Sequence, residues 1–572
     1  MEDFDDDLDY ELSQLDLTVY NQECNTLSNS DATQVFDVDL DDTVSIARTK
    51  NHHRRQILSD SEDDQIPVLP TSRNTEVWFN PLGKQPSIIP YTECPGLKPF
   101  SLRSSMSSAK PAEFYSLLVP DSIFEYIAEE TNRFALQTLN KSATKSYRMQ
   151  KWMPTNCHEI KRFFGILIWM GIVKLPQLSL YWSTNKCFEQ KFVKSIMSRN
   201  RFELILRMLH FANNEINHNK EDRLFKVRHL LDMLNANFKC HYTPNQEMCV
   251  DESLIPFRGR VIFRQYNKNK RHKYGIKLFK LCSNPGYTVK VQVYAGKNYE
   301  NVNTTPTNVV LALCDDYLNK GHTVCTDNWY TSLDLARKLL AGQTHLIGTL
   351  RKNRRGLPQT VVQTKLKTGE FSAQENDDGI TIMKWKDKRD VLLLSTKHSV
   401  SFRRITKKGK EKIKPKIVVD YNHAKSAVDL SDQMSSYTTP LRKTTKWPKR
   451  LAMELLLNTA IVNSYILYKL TTKKKLSVVQ FRTALVDYLV HTGVPETSAS
   501  SRPRRVKHEL KKRQGLASAC RKYCVRCYKE NCAQFGRVHA RNKTKRVVTY
   551  CEDCPNEPHY CISCFNLNHR YV

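Results

Sequence analysis

The sequence of 572 residues predicts an α/β fold, preceded by a helical domain, interrupted by a β-rich insertion and followed by a small cysteine-rich domain. Three observations predict it. From about Pro111, apolar residues recur at three- and four-residue spacing, the period of a helix packed on one face. At Met248 the period changes, and short apolar strands begin to alternate with helices. Near the C-terminus, Cys-x-x-Cys pairs replace any long apolar pattern.

Residues 1–66 are acidic and polar, with Glu2, Asp3, Asp5, Asp6 and Asp7 at the start and Ser59-Asp60-Ser61-Glu62-Asp63-Asp64 near the end. Like charges repel and little apolar surface is available, so disorder is expected. A linker follows over 67–110. Residues 111–245 read as a helical domain, with helices over Ser122–Leu139, His158–Val173, Arg201–Phe211 and Arg223–Phe238. Residues 246–358 form the first part of the α/β core. Met248-Cys249-Val250 runs into Asp251, and Val289–Tyr294, His322–Thr326 and His345–Leu350 are strands, with a helix at Leu333–Leu340. Residues 359–420 are the β-rich insertion: Ile380–Trp385 and Val391–Leu394 are strands with no helix between them. The core resumes over 421–494, including a helix at Lys449–Thr471. A basic linker, 495–519, leads to the cysteine-rich domain, 520–572.

The formal net charge is +31, and no Lys or Arg precedes Arg48, so the body is more basic than the average. A large cationic surface attracts a polyanion, with nucleic acid the first candidate. The N-terminus is acidic where a secretory signal has a basic region. The run Phe163–Val173 is well short of the ~20 apolar residues of a membrane span and reads as a buried helix. No membrane partner is expected.

Three acidic blocks stand out: Val250-Asp251-Glu252-Ser253, Thr326-Asp327-Asn328-Trp329-Tyr330, and Val428-Asp429 with Asp432-Gln433-Met434. Asp251 and Asp327 each follow a short strand, and ligands of open α/β sheets gather at strand carboxyl ends. Most aspartates there are turn residues or helix caps. Asp429 and Asp432, three residues apart, share a helix face. Hard carboxylate oxygens converging from distant parts of the chain suit Mg²⁺ or Mn²⁺. Two such ions can activate a water or 3′-hydroxyl and stabilise the leaving oxygen of a phosphodiester.

Basic residues crowd the first acid: Arg258, Arg260, Arg264, Lys268, Lys270, Arg271 and Lys273. A second cluster, Arg351 to Arg355, follows the strand ending at Leu350. Such residues can neutralise phosphates flanking a scissile bond. Trp447, preceded by Arg442, Lys443 and Lys446, can stack on an unpaired base or simply start a helix. In the tail, Cys524, Cys527, Cys551, Cys554, Cys561, Cys564 and His569 have the spacing of structural Zn²⁺ ligands. Two ions need eight ligands; His559, Cys532, His539 and Cys520 are the candidates for the eighth. The runs Lys407–Lys414 and Arg502–Arg513 can serve as nuclear import signals or as phosphate contacts.

The first block, with Phe257-Arg258-Gly259-Arg260 and Lys273-Tyr274-Gly275-Ile276-Lys277, resembles the first catalytic block of piggyBac transposases. Thr326–Ser332 resembles the second block, and Val428-Asp429 with Asp432-Gln433-Met434 the third. The similarity runs from about residue 112 to the C-terminus. It implies an RNase H-like core with a triad of Asp251, Asp327 and Asp429, with Asp432 assisting at the metal. It places Arg351 and Arg354 on DNA and Trp447 near a DNA hairpin. It also implies that the helical domain binds DNA and dimerises, and that the tail is a cross-brace zinc domain binding element ends. The implied reaction is cut-and-paste transposition through a hairpin at TTAA sites, by a nuclear homodimer on double-stranded DNA. The alternative is a domesticated descendant that binds DNA or chromatin without transposing.

Overall fold

The computed structural model describes residues 76–83, 88–98, 108–141, 147–216, 222–268, 272–296, 305–407, 410–492 and 508–569. The acidic segment 1–66, the basic stretch 495–507, and Lys270 and Arg271 lie outside the described residues.

The helical region begins with α1 (Pro111–Leu118), whose first position is a proline; the missing N–H there costs no helical hydrogen bond. Next come α2 (Asp121–Lys141), α3 (Cys157–Ile172), α4 (Arg199–Met208) and α5 (Phe225–His241). The side chain of Asn156 caps α3, accepting the backbone N–H of Glu159 at 2.9 Å. The apolar run of α3 is buried almost all round, from Ile160 through Phe163, Phe164, Ile166, Leu167 and Ile168. Each such side chain contributes roughly 1.5–3 kcal/mol on burial.

The central sheet starts with β1 (Glu247–Pro256), β2 (Tyr274–Ser283) and β3 (Tyr287–Val293), an antiparallel meander. After helix α6 (Pro306–Cys314), β4 (Thr323–Thr326) pairs parallel with β1. Helix α7 (Leu333–Ala341) then crosses to β5 (His345–Thr349), parallel to β4. The resulting order is β3-β2-β1-β4-β5.

The stretch read as a β-rich insertion largely joins this same sheet. β6 (Phe371–Glu375), β7 (Thr381–Lys386) and β8 (Asp390–Ser395) form an antiparallel meander whose last strand pairs with β5. Without it, β5 would be a bare edge with unpaired backbone groups. Only β9 (Phe402–Lys407) and β10 (Lys410–Pro415) stand apart, paired with each other.

Helix α8 (Lys416–Ser436) packs across β1, β2 and β4. Helix α9 (Trp447–Thr472) passes through a π-helical turn at Leu455–Thr459. It is long and apolar enough to cross a bilayer, but its apolar window is wholly buried inside the protein, as in a core helix. α9 and α10 (Val478–His491) pack on α1 and α3. The helical region, the sheet and these late helices therefore share one hydrophobic core.

The tail is built from β11 (Leu510–Lys512) paired with β12 (Thr549–Cys551), and from α11 (Val525–Lys543) and α12 (Ile562–His569). β11 draws part of the basic linker into this small domain.

At Gly171, near the end of α3, an added Cβ would lie 2.2 Å from the Thr438 carbonyl oxygen, in the segment joining α8 to α9. Gly171→Ala gains about 1 kcal/mol in helix propensity, but it must displace backbone, a cost of about 1–3 kcal/mol or more. We expect a lowered Tm by calorimetry. Gly342→Ala, whose Cβ meets only Leu318 side-chain atoms at 3.4 Å and beyond, should leave the Tm nearly unchanged.

Candidate active site and metal centres

Parallel pairing of β1 with β4 sets Cys249 opposite Cys325 and Val250 opposite Thr326. The next residues are Asp251 and Asp327, so the first two acids leave neighbouring strands at the same level. β5 continues the register, with Gly348 opposite Thr326, and the hydroxyl of the following Thr349 donates to Asp327 Oδ1 at 3.2 Å. The turn after β4 is locally determined. Asn328 N–H donates to the Asp327 carboxylate, and Tyr330 N–H, Thr331 N–H and the Thr331 hydroxyl converge on the Asp327 carbonyl. Ser332 then caps α7, accepting Leu335 N–H at 3.1 Å.

Asp429 comes from α8. Ala424, Ala427 and Val428 pack on Cys249, Cys282 and Cys325 of the sheet. These small and medium side chains allow close approach: Cys249 Sγ donates to the Lys425 carbonyl at 3.4 Å. Thr288 and Ser431 share a hydroxyl hydrogen bond of 3.0 Å, and this fixes the rotation of the helix. Asp429 follows directly from the buried seam and is exposed.

The acids feel one another. Burial pushes the Asp251 carboxyl up to about 7, and the negative charges of Glu252, Asp327 and Asp429 push in the same direction. The Glu252 N–H, 2.7 Å from Asp251 Oδ1, pulls partly against them. A partly buried carboxylate on β1 with two exposed carboxylates beside it has the donor chemistry that suits a divalent cation.

Asp432 has a different surrounding from the one its spacing suggests. Its Oδ1 accepts from Lys280 Nζ at 2.7 Å, and Lys280 is 1% exposed. Lys280 sits directly opposite Asp251 in the β1–β2 ladder. Burial pulls the Lys280 ammonium down, yet Asp432, Cys282 and Glu454 hold it above its ordinary value. Glu454, also buried, receives a hydrogen bond from Asn458 at 2.9 Å at the π-helical turn of α9. Asp432 thus ties α8 to the sheet beneath the acid cluster. Sequence reading missed Lys280 and Glu454, because a lysine within a strand carries no signal until the ladder places it opposite an acid.

The basic residues divide into free and committed groups. Arg258, Arg260 and Lys273 are exposed. Arg264 Nη1 donates to the carbonyls of Arg258 and Gly259, at 2.9 and 3.1 Å, and shapes that loop. Arg351 is exposed and its Nε donates to Asn328 Oδ1 at 3.2 Å, beside the second acid. Arg354 is half-buried; its Nη2 donates to the carbonyls of Asn328, at 3.0 Å, and Trp329. That contact makes Arg354 a brace for the loop carrying Asp327. Trp447 opens α9, half-buried, with its ring edge-on to Phe263 at 5.2 Å.

In the tail, two four-residue groups interleave along the chain. Cys524, Cys527, Cys561 and Cys564 form one; His508, Cys551, Cys554 and His569 form the other. In the first, Sγ–Sγ distances are 3.8 Å for Cys524–Cys561, 3.9 Å for Cys527–Cys561 and 3.3 Å for Cys527–Cys564. In the second, His508 Nδ1 lies 3.3 Å from both Cys551 Sγ and Cys554 Sγ. His569 Nε2 lies 3.6 Å from Cys551 Sγ and 3.2 Å from Cys554 Sγ. A zinc tetrahedron with bonds of about 2.3 Å has ligand–ligand edges of about 3.8 Å, so both groups suit Zn²⁺. His569 Nδ1 donates to the Phe565 carbonyl at 2.8 Å, and this leaves Nε2 free to ligate.

The eighth ligand is corrected here. None of His559, Cys532, His539 or Cys520 belongs to either group. His559 instead uses Nδ1 on the Val547 carbonyl at 3.2 Å. The completing residue is His508, from the stretch read as linker, carried in by β11 pairing with β12.

Comparison with known proteins adds four findings. The family model described as Transposase IS4 matches residues 110–465. PiggyBac transposable element-derived protein 3 of Homo sapiens is 27% identical over 421 residues, 69% of this chain and 68% of that protein. PiggyBac transposable element-derived protein 2 of Homo sapiens is 25% identical over 420 residues, 70% of this chain and 68% of that protein. Among solved structures, the cryo-EM structure of piggyBac transposase synaptic complex with hairpin DNA matches with a TM-score of 0.61 and 29% identity, covering 70% of this chain and 83% of that one.

We expect elemental analysis of purified protein to find about two zinc ions per chain, one for each four-ligand group. His508→Ala should lose about one, and Cys527→Ser should lose the other. Retention of full zinc by His508→Ala would remove it from the ligand set.

Proposed function

We propose, from the premise that the chain belongs to the Transposase IS4 family and is of piggyBac type, that it is a DNA transposase that cuts and rejoins phosphodiesters at a site of three aspartates. One observation carries the reading: the parallel register of β1 and β4 and the packing of α8 on the sheet bring Asp251, Asp327 and Asp429, far apart in sequence, to one end of the sheet. The strand order β3-β2-β1-β4-β5, with the first acid on β1 and the second after β4, supports an RNase H-like core.

The residues take these roles in the proposal. Asp251, Asp327 and Asp429 hold Mg²⁺ or Mn²⁺. Such ions, when bound, activate a water or a 3′-hydroxyl and stabilise the leaving oxygen. Thr349 and Asn328 fix the Asp327 carboxylate by hydrogen bonds. Arg354 braces the loop bearing Asp327, and Asp432 with Lys280 braces the helix bearing Asp429. Exposed Arg258, Arg260, Lys273 and Arg351 neutralise phosphates of the bound strand. Trp447 stacks on an unpaired base at the hairpin. The zinc tail binds element ends, and the protein works in the nucleus as a homodimer, because two ends must be held together. The hairpin route and the TTAA target rest on kinship with piggyBac transposases.

A second reading has one specific support. The human relatives are named transposable element-derived proteins, and a protein of that kind can keep DNA binding without moving DNA. The presence of all three acids favours retained chemistry.

Asp327→Ala should abolish strand cleavage on a substrate bearing element ends, while gel-shift affinity for that DNA stays within a few-fold. Equal cleavage by the variant and the parent protein would remove the catalytic assignment. Deleting residues 508–572 should weaken end binding at least tenfold and leave the Tm of the remaining protein close to that of the parent's main transition. Undiminished binding to terminal repeats would give the tail another role.

A further inference from the structure

The ribbon β9–β10 is unusual for its charge. From Phe402 to Pro415 the sequence carries Arg403, Arg404, Lys407, Lys408, Lys410, Lys412 and Lys414 against one acid, Glu411. Its register alternates the side chains between two faces. Arg404 pairs with Ile413 and Thr406 with Glu411 on one face. On the other, Arg403 pairs with Lys414 and Ile405 with Lys412, and the backbone ladder ends on Lys407 opposite Lys410. Glu411 serves the first face, where it meets Arg404 at 3.4 Å. On the second face Arg403 stands directly opposite Lys414, a like-charge pairing that destabilises a sheet pair.

An isolated two-stranded hairpin is marginally stable in water. This one is anchored at its base. Phe402 meets Phe371 edge-on at 5.0 Å. Lys414 lies over the Trp385 ring at 5.7 Å and near Asp387 at 4.0 Å. Beyond the base, Arg403, Arg404, Lys412 and Ile413 are exposed. The ribbon thus holds a row of like charges out from the body and stays attached to it. That arrangement is stabilised by a polyanion of regular charge spacing.

Its position says which polyanion. Pro415 caps α8, and Asp429 lies fourteen residues along that helix. At 1.5 Å per residue the ribbon base is about 21 Å from the third acid. B-form DNA rises 3.4 Å per base pair, so this reach corresponds to about six base pairs. The major groove also admits a two-stranded ribbon.

We propose that β9–β10 is a DNA-docking ribbon whose exposed Arg403 and Lys412, on one face, lie on the phosphates of duplex about six base pairs from the scissile bond. The ribbon anchors flanking DNA and takes no part in the chemistry. Its placement relative to cleavage rests on the transposase reading; its affinity for duplex does not.

The test uses the full-length double variant Arg403→Ala/Lys412→Ala, with a random-sequence duplex of 40 base pairs and no added Mg²⁺ or Mn²⁺. Removing two phosphate contacts should lower the slope of log K against log salt by about 1.8. In a second arm, hydroxyl-radical footprinting on cleavable substrate should lose protection centred about six base pairs from the cut. An unchanged salt slope overturns the proposal. So does a variant that loses retention on polyglutamate but keeps duplex binding, which would assign the ribbon to an acidic protein segment. If the slope falls but Asp327→Ala still cleaves like the parent protein, the catalytic assignment of Asp327 fails and the docking ribbon stands.

Discussion

The structure depends above all on the four-residue parallel ladder between β1 and β4, overlaid by α8. Cys249, Cys325, Val250 and Thr326 pair so that Asp251 and Asp327 emerge side by side. The seam of Ala424, Ala427 and Val428 brings Asp429 to the same end. Burial of the Asp251 carboxylate is unfavourable, and the neighbouring negative charges add to it. The rest of the core, from the largely buried α3 to the late helices, supplies the rigidity that keeps the acids there.

Around that cluster, charge is arranged in layers. Lys280, opposite Asp251 in the ladder, is a buried cation bound to Asp432. Glu454 at the π-helical turn of α9 balances it from behind. Such a network is costly to break, because removing one partner leaves an uncompensated buried charge. It locks α8 against both the sheet and α9. The exposed cations lie outside this layer, on loops and on the ribbon, where screening by salt keeps each contribution small and only their sum matters.

The α/β alternation, the helical region and the positions of the three acidic blocks are legible in the sequence because each is a local pattern: apolar period, strand followed by acid, or cysteine spacing. Features set by long-range pairing are not legible. Nothing local marks Lys280 as the residue opposite Asp251, or shows that β6–β8 complete the edge of β5. His508 is a lone histidine in a basic stretch, and only the pairing of Leu510–Lys512 with Thr549–Cys551 carries it to Cys551 and Cys554. Arg354 resembles a DNA contact by sequence, and only the structure shows that it also braces the backbone of Asn328 and Trp329.

The central claim is that three distant carboxylates share divalent metal, and site-directed oxidation probes it most directly. Full-length protein loaded with Fe²⁺ in place of Mg²⁺ and exposed to ascorbate and peroxide is cleaved where backbone adjoins the bound ion. The account predicts fragments ending near Asp251, Asp327 and Asp429 together, all suppressed by excess Mg²⁺. Cleavage at one of these positions only, or a pattern that Mg²⁺ leaves unchanged, would contradict it.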